Sequence, residues 1–527
     1  MTKTIGRVTE VNSTGVRAFI EPAHLEDTDG SVTVGTMVEI HSGATRVLGI
    51  ISAVQSPDGK AGSGAVVSLD LVGELTSGDN VEFTRGVGRW PGVGTEVRTI
   101  SDADVGAVLG MKSRGAVRIG ETKVGATQEI QIDVDGMLRS HFAIFGATGS
   151  GKTSSTAVIL RAILQRLPHA HIVLLDPHNE YDGAFGDLVE RLTLSTLKLP
   201  YWMLNFYELC SVFKILPENQ YPSEIKILRE AVSQAKTMYV PDKKPGTPNI
   251  SVDNPSPFRL SDLRRLVNES MGKLDNPDAI QSYLRILNRL EELTSDDRYS
   301  FMFGPQFVRD VMSEVICQIT RIPVAGKPMT TIDLSDIPEE IVDVVVAVVF
   351  RIIFTFAVWA GEGSAVPTLI VCEEAHRYLW DDRTGTSIRL AMGAASQVAK
   401  EGRKYGVSIG IVSQRPSEVS PSIVSQCGTI LSLRLGNERD LQFVRNALPD
   451  SATSLVGVLK SLNNREAVIF GQGVAFPTRV TIDELPAAAR PKSKAKSYYD
   501  AWSVDNSSVE AVASTVDRWR KRVHQKP

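Results

Sequence analysis

Cysteine is scarce in this sequence. The four present, Cys210, Cys317, Cys372 and Cys427, stand far apart and form no C-x-x-C pair. That excludes a disulfide framework and a zinc knuckle, and free cysteines fit a reducing, cytoplasmic compartment. An excess of positive charge is also missing: 57 Lys and Arg stand against 61 Asp and Glu, a net charge of −4. The chain is therefore no globally basic nucleic-acid coat, and a nucleic-acid contact would need a local patch or an assembled surface. The opening Met1-Thr-Lys-Thr-Ile-Gly lacks the apolar stretch of a signal peptide. Only residues 344–360 imitate a membrane span, and Arg351 interrupts them, with Asp343 just before. A bilayer needs about 20 apolar residues and penalises a central arginine. A helix buried on most faces is expected there, with a membrane span as the alternative. A hydrophobic content of 42% and a charged content of 22% exclude a disordered, collagen-like or coiled-coil chain. At about 150 residues per domain, 527 residues make three or four units.

The first hundred residues carry short β-rich runs at 4–11, 15–20, 36–40, 47–53, 65–71 and 80–83, separated by Gly, Asp and Ser. Such spacing predicts a small barrel or sandwich over 1–110. From about Ile130 strands alternate with helices: 141–145 strand, 154–167 helix, 171–175 strand closed by Asp176. This predicts an α/β unit with a parallel sheet. Residues 193–325 break the pattern with helical spacing at 224–238, 260–267 and 279–294, and 240–257 reads as a loop. They are expected to be a helical insertion between core parts 111–192 and 326–490. In the second part the expected elements are strands at 330–334, 368–372, 407–412, 429–433 and 467–470, with helices at 339–360 and 387–404. Residues 491–527 form a polar, basic tail with one helix expected around 507–522.

Gly146-Ala147-Thr148-Gly149-Ser150-Gly151-Lys152-Thr153 matches G-x-x-x-x-G-K-[ST] between an expected strand and an expected helix opening at Ser154. The glycines let successive N–H groups form an anion nest, and the helix N-terminus adds its dipole. Lys152 can reach the β- and γ-phosphates, and Thr153 can offer its hydroxyl to Mg²⁺. Hydrolysis needs more. The strand 368–372 ends in Glu373-Glu374-Ala375-His376. Glu373 is placed to hold the metal shell and Glu374 to polarise the attacking water. Gln414, at the tip of the strand 407–412, is the candidate γ-phosphate sensor. Arg403 and Arg139 are candidates for the cations that phosphoryl transfer needs, Arg139 from a neighbouring subunit's edge. Asp176-Pro177-His178-Asn179-Glu180-Tyr181 closes another strand; ligand contact and capping of the following turn are both open there. No N-K-x-D motif follows, so ATP is favoured over GTP.

Taken together, 141–156, 174–181, Glu373–His376, Glu401-Gly-Arg-Lys-Tyr-Gly and Ser413-Gln-Arg-Pro resemble the HerA branch of the FtsK/HerA ATPases, over about residues 1–490. The resemblance implies a RecA-like P-loop NTPase core with a small N-terminal barrel of the HAS type and a helical insertion. It further implies a homo-hexameric ring that uses ATP and Mg²⁺ to translocate double-stranded DNA. The implied partner is a nuclease of the NurA kind or another effector such as a sirtuin-like NADase, in DNA end processing or anti-phage defence. Arg139 and Arg403 fall near the family's trans and cis arginines. The family often has Asp-Glu where this chain has Glu373-Glu374. The alternative of another class is a ring scaffold that binds ATP to assemble and activate an effector, with movement along DNA secondary.

Overall fold

The computed structural model describes the chain except for residues 1, 13–14, 26–31, 44, 58–63, 77–80, 111–112, 123–126, 218, 240–250, 274–276, 362, 365, 381–389, 449, 492–498, 500–501, 504–507 and 522–527. Most of the expected loop 240–257, the start of the expected helix 387–404 and Lys492, Lys494 and Lys496 of the tail therefore lie outside the described residues.

Seven strands form the N-terminal unit: β1 Thr4–Asn12, β2 Gly15–Ile20, β3 Met37–Ser42, β4 Thr45–Gln55, β5 Ala65–Leu75, β6 Phe83–Arg85 and β7 Glu96–Thr99. The order β2-β1-β7-β3-β4-β5 closes on itself through antiparallel pairing of β2 with β5, so the unit is a six-stranded barrel, and β6 lies outside on β5. Alternation explains the closure: Ile5, Val8, Val16, Ala18, Ile40, Val47, Val67 and Val97 point inward to one small core. Gly6 is required where β1 crosses β2, because a Cβ there would lie 2.0 Å from the Phe19 carbonyl oxygen. Arg85 fastens the barrel to the rest of the chain, donating to the carbonyls of Gly471 at 2.8 Å, Ala475 at 3.0 Å and Val474.

The second sheet has eleven strands: β8 Ala116–Thr122, β9 Gln128–Asp133, β10 Phe142–Phe145, β11 Ile172–Asp176, β12 Val189–Leu192, β13 Met329–Asp333, β14 Thr368–Cys372, β15 Val407–Ser413, β16 Thr429–Leu433, β17 Glu466–Gly471 and β18 Thr478–Ile482. Their order is β12-β13-β11-β14-β15-β10-β16-β17-β18-β8-β9. The strands from β12 to β16 run parallel, and the remaining four add antiparallel. Continuous burial of β10, β11, β13, β14, β15 and β16 marks a sheet covered on both faces. Five strands were not expected from sequence: β7, β8, β9, β12 and β18. β7 and β12 are four residues long, as in Val189-Glu-Arg-Leu192, and β8, β9 and β18 mix polar with apolar residues rather than forming an apolar run.

Between β12 and β13 the chain is mainly helical, with helices Phe206–Val212, Pro222–Tyr239, Leu260–Met271, Pro277–Ser295, Ser300–Phe303 and Met312–Thr320. The apolar helix Glu339–Ala360 is long and apolar enough to cross a membrane, yet two thirds of that stretch is buried inside the protein. Arg351 shows why it is a core helix. Its guanidinium grips the Glu208 carboxylate with two contacts of 2.7 Å and also donates to the Met203 carbonyl at 2.7 Å. The one charge that interrupts the apolar run is thus the charge that ties the helix to the segment before it.

Candidate functional site

Parallel strands deliver their loops to one edge of a sheet, and β10, β15, β14 and β11 are consecutive neighbours. The loop after β10 and the acids after β14 therefore meet, although more than two hundred residues separate them. Gly149 and Gly151 take φ of +76° and +99°, left-handed values that a side chain would strain. The helix Lys152–Arg166 starts at once. The loop is pinned by Ala147 N–H to the Arg434 carbonyl (2.9 Å) and Arg465 N–H to the Ser150 carbonyl (3.0 Å).

Lys152 is buried and donates to Glu373 Oε1 at 2.6 Å and Glu374 Oε1 at 3.0 Å. Burial alone would lower its pKa, but the two carboxylates outweigh that and hold it above the ordinary lysine value. Glu373 is wholly buried, and its other oxygen accepts from the Tyr181 hydroxyl at 2.6 Å. Burial raises the Glu373 carboxyl; Lys152 and Tyr181 pull it back without cancelling the rise. Glu374 sits at φ +48°, ψ +44°, a left-handed conformation unusual for a glutamate. Its Oε2 is buried with no hydrogen-bond partner, 3.2 Å from His376 Nδ1 but outside hydrogen-bond geometry.

Of the two readings open at its segment, Asp176 itself shows the capping one. Its carboxylate accepts the backbone N–H groups of His178 (3.3 Å), Glu180 (3.2 Å) and Tyr181 (3.1 Å), so it caps the turn. Burial raises its pKa against those three donors. The turn it shapes carries Tyr181 to Glu373 and carries Glu180 to Thr153, whose hydroxyl donates to Glu180 Oε2 at 2.8 Å. Sequence reasoning gave Glu180 and Tyr181 no individual role. The signal was present in the spacing from Asp176, but only the turn's geometry decides where they point. Gln414, just past β15, accepts from the Thr148 hydroxyl at 2.6 Å and so touches the phosphate loop. Arg434, after β16, and Arg465, before β17, hold the loop through their backbones alone, while their side chains turn to Asn464 and Glu484.

The structure brings together Thr148, Lys152, Thr153, Glu373, Glu374 and Gln414. It does not bring Arg139 and Arg403 to them. Arg139 precedes β10 and Arg403 precedes β15, so strand direction puts both at the opposite, amino edge of the sheet. There they line one cavity of about 620 Å³ with Leu138, Leu167, Pro367 and His169. A role for Arg403 at the phosphates of its own chain is therefore corrected: the arginine lies a full strand length from the loop. Buried His141 holds this edge, with Nδ1 accepting Ile409 N–H and Nε2 donating to the Ala399 carbonyl, both at 3.0 Å. Burial keeps its pKa below the usual histidine value.

The oxygen donors suit a magnesium nucleotide. The hydroxyls of Ser150 and Ser155 and Glu374 Oε2 are buried and unpartnered at the loop, and open space lies where a Cβ of Gly149 would stand. Thr153 would be joined there by a carboxylate. The Thr153 hydroxyl donates to Glu180, while Glu373 is held by Lys152 and Tyr181. No group of three or more His, Cys, Asp or Glu side chains is poised to hold a metal among the described residues.

Residues 117–353 match the family described as "Helicase HerA, central domain". The DNA double-strand break repair helicase HerA of Sulfolobus acidocaldarius is 29% identical over 399 residues, covering 75% of this chain and 74% of that protein. The protein of the same description from Pyrococcus furiosus is 27% identical over 417 residues, covering 69% of each chain. Among solved structures, VirB4 of Thermoanaerobacter pseudethanolicus superposes with a TM-score of 0.51 at 17% identity, covering 72% of this chain and 99% of that one. That likeness speaks to the fold alone.

Proposed function

We propose that this chain, a HerA-like ATPase of the FtsK/HerA superfamily, hydrolyses ATP to drive double-stranded DNA through a homo-hexameric ring. One observation carries the hydrolytic part: Lys152 of the phosphate loop and the two glutamates after β14 converge within hydrogen-bond distance. The strand order β16-β10-β15-β14-β11, with the phosphate loop after β10 and the acids after β14, supports a RecA-like core. The DNA part rests on relatives that are described as double-strand break repair helicases.

In this reading the loop's N–H groups bind phosphate oxygens and Lys152 leaves the glutamates to donate to the β- and γ-phosphates. Glu374 accepts a proton from the attacking water as its oxygen bonds to the γ-phosphorus and the bond to the bridging oxygen breaks. Gln414 senses the γ-phosphate and reports it to the loop through Thr148. Magnesium, held by Thr153 and a carboxylate, would neutralise charge on the phosphates. Arg139 and Arg403 stand at the sheet edge opposite their own site, a place from which they serve a neighbouring subunit's nucleotide. The barrel offers the docking surface for a nuclease or other effector. A net charge of −4 is compatible with DNA held by a positive pore, and such binding weakens steeply with salt.

The test is ATP hydrolysis with and without linear duplex DNA at low salt, beside Glu374→Gln. A DNA-translocating ATPase gives DNA-stimulated turnover that the variant loses while still binding ATP. Turnover indifferent to DNA, with effector activation intact in Glu374→Gln, would instead favour the scaffold reading.

A further inference from the structure

Glu374 needs something to aim it. Its backbone is left-handed, its carboxylate is buried, and its one hydrogen-bonded partner, Lys152 on Oε1, is the group that the phosphates recruit. The other oxygen, Oε2, has an imidazole nitrogen of His376 at 3.2 Å. The same Nδ1 lies 3.2 Å from Ser413 Oγ, and Ser413 Oγ accepts the Arg415 N–H at 3.0 Å. Ser413 is fully buried at the tip of β15, directly before Gln414.

The imidazole thus stands between the carboxylate after β14 and the tip of β15. Both of its neighbours there are oxygens, so a proton on Nδ1 serves either of them. A buried carboxylate oxygen without a donor is costly, and a small rotation of the Glu374 side chain supplies one from His376.

We propose that His376 is a positioning residue: its Nδ1–H orients the Glu374 carboxylate toward the attacking water and ties that orientation to the strand tip that carries Gln414. His376 touches neither phosphate nor water; it acts through Glu374. The inference rests on the reading of Glu374 as the base and deepens it by naming what holds the base in place.

Purified full-length protein carrying His376→Ala, His376→Asn, Glu374→Gln or the Glu374→Gln/His376→Ala pair is measured for kcat, KM, melting temperature and affinity for a fluorescent ATP analogue. His376→Ala is expected to lower kcat roughly 10- to 100-fold, the usual cost of losing a group that orients a functional side chain, with analogue affinity and melting temperature near wild type. His376→Asn, which returns an N–H donor close to the Nδ1 position, recovers most of the rate. The double variant is no slower than Glu374→Gln alone, because His376 has nothing left to orient. His376→Phe keeps the ring and loses the donor, and it carries the same expectation if the alanine variant unfolds. Wild-type kcat in His376→Ala or His376→Phe overturns the inference. So do losses that multiply in the double variant, or a rate loss matched by lost analogue affinity. Wild-type turnover in Glu374→Gln would remove the base itself, an outcome separate from inactivity in Glu374→Gln with full activity in His376→Ala.

Discussion

Lys152→Ala tests the site before any nucleotide is added. The substitution takes one ammonium from between Glu373, which is 0% exposed, and Glu374, which is 7% exposed. Breaking a buried ion pair from one side costs about 3–5 kcal/mol, because the remaining charge is left in a poor solvent. For a unit of this size each kcal/mol moves the melting midpoint by about 2–4 °C, so the core should melt roughly 6–20 °C lower. Adding Glu373→Gln removes one stranded charge while leaving an acceptor for the Tyr181 hydroxyl, and most of the loss should return. The pH dependence has a definite sign. Burial holds the Glu373 carboxyl above its ordinary value, and losing Lys152 raises it further. A carboxyl whose folded pKa is raised destabilises the fold where it is ionised and ceases to do so as pH falls through that folded value. The deficit of Lys152→Ala is therefore largest at neutral pH and shrinks on acidification. At the alkaline end, the raised Lys152 contributes its stability fully below the ordinary lysine value and loses it as pH rises through its folded value, so the variants converge there too. Differential scanning fluorimetry without nucleotide across pH reads all of this as midpoints, which a multidomain chain still supplies when a two-state ΔG is undefined. Equal midpoints for wild type and Lys152→Ala at neutral pH, or a double variant that melts below the single, would refute the reasoning.

Three other outcomes follow from the same structure. Arg351→Met should destabilise the chain by about 3–5 kcal/mol by stranding buried Glu208; midpoints in urea should fall and partly return in Glu208→Gln/Arg351→Met. Arg139→Ala should lose turnover while keeping ATP affinity, and mixing its subunits with Lys152→Ala subunits should restore some hydrolysis; mixtures without any recovery would remove Arg139 from a neighbouring site. Glu180→Gln should raise the Mg²⁺ concentration needed for tight binding of a fluorescent ATP analogue, because it removes a carboxylate that faces Thr153; an unchanged Mg²⁺ titration would limit Glu180 to holding the hydroxyl.

Much of this protein is legible in its amino acids because the determining signals are local. The phosphate loop is one: three glycines, Lys152 and Thr153 specify a backbone nest whatever surrounds it. The helix 339–360 is another, since a long, almost wholly apolar run has one physical outcome inside a core, and the short, mostly apolar strands 368–372 and 429–433 read as buried strands of a covered sheet. Strand pairing is different. Closure of the barrel through β2 and β5, rather than a two-sheet sandwich, depends on contacts between residues about fifty positions apart. The place of β15 between the phosphate-loop strand and the acid-bearing strand is equally non-local. Direction and neighbourhood in the sheet decided which charged residues meet: Glu180 and Tyr181 reach the site because Asp176 folds their turn, while Arg139 and Arg403, which precede β10 and β15, are carried to the opposite edge. A sequence names the groups able to do the chemistry; only the packed sheet sets the ångström distances at which charges act on one another.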